Sequence, residues 1–225
     1  MRARPGFTCR AFTLIELLVV IAIIGILAAI IVPVLARSKM KARITQDLSQ
    51  LHQFGHGANV WANDHEGHYP WRVDPSEGGS MGSSGPEWAE HIRVMAKELA
   101  RVEILVCPFE RETKKPAPDW ASLAGYDNVS YFVGLNAEQS RLTLLSGDAA
   151  FVGGTGGVDP YWNSYAGSSI DATWETVHGD SGRGNVVLTD GSAHTWSSRQ
   201  FKEQIAYELG SGSTNVVLSK PQGTL

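Results

Sequence analysis

The order of patterns along this 225-residue chain predicts an α+β protein: one long N-terminal helix, membrane-spanning in its first half, packed on the antiparallel β-sheet of a head. Three features carry this. Residues 12–36, FTLIELLVVIAIIGILAAIIVPVLA, are a membrane-length apolar run with one acid, Glu16, near its start. Ile44, Leu48, Leu51, Ala58 and Trp61 continue it at close to the three-and-four spacing of an amphipathic helix. Short apolar runs bounded by turn residues then follow, and a helix laid across a meander of strands is the economical way to bury both.

The first element is a helix over residues 14–63, fifty residues or about 75 Å at 1.5 Å per residue. Its uncharged stretch, residues 17–36, is twenty residues, enough for the roughly 30 Å hydrocarbon core of a bilayer. A cleaved secretory signal has a shorter apolar region followed by an A-x-A site. No such site precedes the basic cluster Arg37, Lys39, Lys41 and Arg43, so the segment is expected to stay on the protein. A carboxylate inside a bilayer helix costs roughly 2.5 to 3.5 kcal/mol, which makes Glu16 the first functional candidate. Pro33 is expected to kink or locally melt the helix, and Gly55 and Gly57 to weaken its distal part.

A turn at Pro70 and a Gly/Ser-rich loop, residues 76–85, lead to a second helical pattern over residues 87–100 with Trp88, Ile92, Met95 and Leu99 on one core-facing side. Strands are predicted at residues 104–106, 130–135 and 142–145, with a Gly-rich loop over 147–157. Residues 185–189 and 193–196 flank Asp190-Gly191, the pair that supplies positive φ angles for a type I′ hairpin. A closing helix is predicted over residues 198–209, ending at Gly210.

The residues Ala11-Phe12-Thr13-Leu14-Ile15-Glu16-Leu17-Leu18 resemble the processing site of type IV prepilins and type II secretion pseudopilins. The resemblance implies a cytoplasmic leader, residues 1–11, cut off before Phe12 by a prepilin peptidase that methylates the new amino terminus. It also implies that Glu16 is the assembly residue. The family usually has Gly where this chain has Ala11. The implied layout is a transmembrane and assembly helix over residues 12–36, a stalk over 37–66 and an α+β pilin-like head over 67–225. A cationic amine at Phe12 could be neutralised by the Glu16 carboxylate of a neighbouring subunit where water is scarce, so that one charge sets the axial register. The implied partners are the peptidase, other pilin-like subunits and an inner-membrane assembly platform. The chain would cross the inner membrane once, with its head on the periplasmic side. Basic residues flank the span on both sides, so charge alone leaves the orientation open.

Loss of the leader would remove Arg2, Arg4 and Arg10 and leave 214 residues with 16 basic against 23 acidic side chains. So acidic a chain lacks the basic face that nucleic-acid binding needs. Cys9 lies in the leader, so Cys107 would be the sole cysteine of the processed chain and is expected to be a buried thiol at a strand end.

A second resemblance lies in the head. Residues 130–135, Ser146-Gly147-Asp148 and the stretch from His178 to Asp190-Gly191 resemble large-headed pilin-like proteins with a histidine, a nine-residue spacer and Asp-Gly; here the spacer is eleven. Some pseudopilins order a head loop with calcium, which makes Asp148, Asp159, Asp180 and Asp190 candidate ligands. Gly78-Gly79-Ser80-Met81-Gly82 matches a G-x-S-x-G nucleophile elbow, with Asp148 and His178 following in hydrolase order. A true elbow joins a buried strand to a helix, and no apolar run precedes this one. His65, Glu66 and His68 lack the helical i, i+4 spacing of a zincin. Trp71, Tyr161, Trp162, Tyr165 and Trp174 lie in loops, where exposed aromatics can stack on sugars or partners. The chain is therefore expected to be a structural filament subunit without enzymatic activity or cofactor. The alternatives are a tip or minor pilin that captures a glycan or secreted substrate, and an anchored hydrolase acting through Ser80.

Overall fold

The computed structural model describes residues 14–163, 170–175 and 182–222. Its first element, α1 (Leu14–Asn63), is one fifty-residue helix with Pro33 inside it, and it does not melt there. The chain divides into two compact units, one ending at Ala42 and the other beginning at Arg43. In the first, the described residues are exposed throughout, from Leu14 and Ile15 to Val34 and Leu35. This part is long and apolar enough to cross a membrane by length and composition.

The second unit is the head. Six strands form an antiparallel sheet in the order β4-β8-β1-β2-β6-β7. Its strands are β1 (Tyr131–Gly134), β2 (Leu144–Asp148), β4 (Tyr161–Asn163), β6 (Arg183–Leu188), β7 (Ala193–Ser197) and β8 (Asn215–Ser219). A two-stranded ribbon pairs β3 (Phe151–Val152) with β5 (Thr173–Trp174). Period-two alternation sorts the side chains into two cores. Tyr131, Val133, Leu145 and Val187 face the one that takes Leu51, Phe54, Ala58 and Trp61 of α1. Phe132, Leu144, Val186 and Leu188 face the other, against Phe151, Trp174, and Phe201 and Ile205 of α5 (Ser198–Gly210). This is the α+β pilin-like arrangement read from the sequence.

Gly55 and Gly57 lie within the continuous helix α1 and let it approach the rest of the head closely. A Cβ on Gly55 would lie 2.6 Å from Val187 Cγ2, and one on Gly57 2.7 Å from Leu99 Cδ2. The expected closing helix is present and begins with a capping box, in which Ser197 and Gln200 satisfy each other's backbone N–H groups.

Several elements differ from expectation. The helix over residues 87–100 is broken into a 3₁₀ turn, Gly85–Ala89, and the short helices α2 (Glu90–Arg93) and α3 (Ala96–Leu99). Pro86, with its fixed φ and missing N–H, sits in the opening turn, and Ala100 closes the segment at φ 57°. Trp88, Ile92, Met95 and Leu99 are nonetheless buried as expected. Residues 104–106 are not a strand: Val102–Leu105 is a 3₁₀ turn beneath the core, because a short apolar run fits a buried turn as well as a strand. A further short helix, α4 (Gly125–Asn128), leads into β1. The second strand starts later than expected and takes in Gly147 and Asp148. Gly147 pairs with Phe132 and Val186 in the sheet, and the position calls for glycine because a Cβ there would meet Asn185 O at 2.7 Å and the Phe132 ring at 2.8 Å.

The β6–β7 hairpin holds, with a different turn. Leu188 N–H donates to Ser192 O (3.0 Å) and Gly191 N–H to Leu188 O (2.9 Å), which closes a three-residue loop over residues 189–191. Of the three, only Gly191 has positive φ, at 84°. Type I′ needs positive φ at both central residues, so this is the longer loop with glycine in the left-handed position.

Candidate functional site

Two places concentrate polar chemistry against an apolar background. The first is the start of α1. Glu16 lies in the first turn, where the unpaired N–H groups of the helix favour an anion. It is exposed and flanked by exposed Ile15, Leu17, Leu18, Val19 and Val20. The expected cut between Ala11 and Phe12 lies outside the described residues.

The second place is a buried node in the head, centred on Asp47 of α1. Tyr131 Oη donates to Asp47 Oδ1 at 2.6 Å and lies 3.2 Å from Gln50 Oε1. Asn185 Nδ2 donates to Asp47 Oδ2 at 2.5 Å, and the backbone N–H of Asn185 donates to Asp148 Oδ2 at 2.5 Å. Thr195 Oγ1 donates in turn to Asn185 Oδ1 at 2.6 Å. Five elements thus meet: α1, β1, β2, β6 and β7. Burial, reinforced by the Asp148 charge, pushes the Asp47 carboxyl up to about 7. Burial also pushes up the Tyr131 hydroxyl and the Cys107 thiol, with the neighbouring carboxylates adding to it. Cys107 is a free, buried thiol, and burial favours its protonated form. It follows a 3₁₀ turn instead of ending a strand.

Asp47, Cys107 and Asp148 bring their ligating atoms within 4.8 Å of one another, the one such cluster of three among the described residues. Asp47 and Asp148 accept from the Tyr131 hydroxyl and from the side-chain amide and backbone N–H of Asn185, and this polar node ties residues 43–63 of α1 to the sheet. Asp47 was missed in the sequence. The signal was an acid three residues after Ile44 and four before Leu51, on the apolar face of the stripe.

The other expected sites disperse. Asp190 accepts from Ser192 N–H (2.8 Å) and Oγ (2.6 Å) and so serves its turn, as Asp-Gly turns do. Asn59 Nδ2 donates to Thr189 O at 2.9 Å, so the Asp190-Gly191 loop is tied to the distal part of α1. Asp159 accepts from Ser219 Oγ and from Gln222 Nε2 (3.0 Å). Asp148, Asp159 and Asp190 thus hold separate places and share no cluster among the described residues. His178 and Asp180 lie outside the described residues.

Ser80 is not an exposed elbow nucleophile. It is 1% exposed and hydrogen-bonded to Nδ1 of His91 at 2.9 Å, with His91 2% exposed and edge-on to Trp71 and Trp88. Burial depresses His91 to about 4, so the pair is a neutral core contact. His65 stacks on Trp61, and its Nδ1 lies 2.8 Å from Trp61 O. Trp71, Trp162 and Trp174 are buried, in contrast to the exposed positions expected of them, because the "loops" that carry them contain β4, β5 and a 3₁₀ turn that pack into the two cores. Tyr161 is 37% exposed, and Tyr165 lies outside the described residues.

Comparison with known proteins bears on the N-terminal segment. The prokaryotic N-terminal methylation motif matches residues 6–32, a stretch that takes in Ala11, Phe12 and Glu16. Prepilin peptidase-dependent protein D of Escherichia coli (strain K12) is 36% identical over 87 residues, which are 39% of this chain and 56% of that protein. The chain therefore spans about half the length of the curated relative it matches. No solved structure matches it significantly.

Proposed function

We propose that this chain is the precursor of a pilin-like filament subunit, cut before Phe12 by a prepilin peptidase, methylated there and assembled through the apolar half of α1. The observation that carries the reading is one acid, Glu16, at the head of an exposed apolar helix and inside the matched methylation motif. Before assembly, residues 17–36 would hold the monomer in the inner membrane with its head on the periplasmic side. During assembly, the amine freed at Phe12 would meet the Glu16 carboxylate of an adjoining subunit in a dry helix bundle. There the attraction is strong and an unpaired charge is costly, so a subunit out of register is penalised. The filament would be a type II secretion pseudopilus or a type IV pilus-like fibre, built with other pilin-like subunits on an inner-membrane platform.

In this reading the role is structural, and the burial of Ser80, His91 and Cys107 in core contacts accords with it. The test is the intact mass and N-terminal peptide mass of the protein extracted from the membranes of its native host. A chain beginning at methylated Phe12 is expected. One that still begins at Met1 would mean that the segment acts as a plain anchor, and the reading would fall.

A further inference from the structure

We propose that Arg37, Lys39 and Lys41 form a juxtamembrane collar that binds anionic phospholipid headgroups on the head's side of the membrane. The inference rests on the reading of residues 17–36 as the span. Those twenty uncharged residues cover the roughly 30 Å hydrocarbon core, so the next residues of the same helix emerge at headgroup depth. Arg37, Lys39 and Lys41 are exposed there, and between Glu16 and Asp47 the sequence has no acid.

The arrangement of the charges selects the partner. At about 100° per residue, Arg37 and Lys39 project from opposite sides of α1, while Lys41 returns near the azimuth of Arg37. All three fall within about 6 Å of axial rise. A protein groove would read a stripe along one face, whereas a membrane surface meets a helix on every side at one depth, and charges on opposite sides at one depth fit that geometry. The long apolar stems of Lys and Arg suit the position, because they lie along the hydrocarbon edge while the heads reach phosphate. The next basic residue, Arg43, is half-buried and sits over the Phe109 ring at 5.8 Å, so it is engaged by the head.

The full chain reconstituted in vesicles of mixed phosphatidylcholine and phosphatidylglycerol, carrying trace spin-labelled versions of each lipid, provides the test. The motionally restricted lipid is expected to favour phosphatidylglycerol, by up to about fivefold for each contributing charge. The preference should shrink in 1 M salt, where the Debye length is about 3 Å. Arg37→Gln with Lys39→Gln should abolish most of it, since Gln keeps helix propensity and removes charge, and Arg37→Lys with Lys39→Arg should retain it. Equal restriction of the two lipids by the unaltered chain would overturn the collar. So would a preference that is undiminished by the double Gln change, or a change that impairs assembly while lipid selectivity stays intact, which would point to a partner protein. If alkaline washing strips the unaltered chain from the vesicles, the membrane-span reading itself fails, a result distinct from any of these.

Discussion

Glu208 shows how a buried acid makes the stability of the head depend on pH. It is 2% exposed, accepts from Leu144 N–H at 2.7 Å and Gln204 Nε2 at 3.1 Å, and burial raises it to about 7. A folded-state value above the unfolded one means that the native state holds the proton more tightly. The stability from this group is then full below about pH 4 and lost as pH rises through about 7. Asp47 carries the same sign, and His91, held down at about 4, carries the opposite one, so the effect is best isolated by a single change. In detergent, Glu208→Gln should match the unaltered chain in urea midpoint at pH 5 and exceed it at pH 8; equal midpoints at both would refute the assignment. Asp47→Ala should instead destabilise at every pH, because the buried Asn185 amide would lose its Asp47 acceptor, at about 1–3 kcal/mol, and the Tyr131 hydroxyl would keep only the longer contact with Gln50. An unchanged midpoint would show that the node is not structural. Glu16 was legible in the sequence because an acid in an apolar run stands out by contrast. Asp47 was not, since its partner Asn185 lies 138 residues away and no local pattern encodes that distance.

Helix α1 and the hairpin were readable because each has a period or a turn pair that acts within a few residues. Strands β4 and β8 escaped notice: Tyr161–Asn163 is three residues long, Asn215–Ser219 follows a Ser/Gly turn, and the pairing of β8 with β4 and with β1 is entirely non-local. The burial of Trp162 and Trp174 follows from that pairing and from the β3–β5 ribbon, so a loop reading of those segments led directly to an exposed-aromatic reading. Gly55 makes the opposite point, because helix propensity marks it as a weakness while packing requires it. Ala at this position would gain about 0.5–1 kcal/mol of helix propensity. Its methyl would nonetheless press on Val187 Cγ2 at 2.6 Å, and overpacking a tight core typically costs about 1–3 kcal/mol. Gly55→Ala should therefore lower the urea midpoint, and adding Val187→Ala should recover part of the loss relative to Val187→Ala alone. A Gly55→Ala chain as stable as the parent would show that the contact relaxes at no cost.

The two units of the chain meet opposite demands. Residues 43–222 bury two apolar cores and one polar node by themselves, whereas the described residues before Arg43 leave Leu, Ile and Val side chains exposed along the helix. An exposed apolar surface of that length needs lipid or other helices around it. A lipid bilayer and a helix bundle are both apolar, so burial alone scarcely distinguishes the membrane-held monomer from the assembled subunit. The discriminating term must then be polar, and Glu16 is the candidate. Within the proposed function, Glu16→Ala should leave processing before Phe12 and retention in the membrane unchanged, since it removes a charge from an apolar helix and eases insertion. It should deplete the chain from the sheared or detergent-resistant filament fraction, because the amine at Phe12 would enter the bundle without a counter-charge. Glu16→Gln should behave nearly as badly: it restores hydrogen bonding but not the charge. If either variant entered filaments at the level of the unaltered chain, axial register would have to come from the apolar packing alone, and the role given to Glu16 would be wrong.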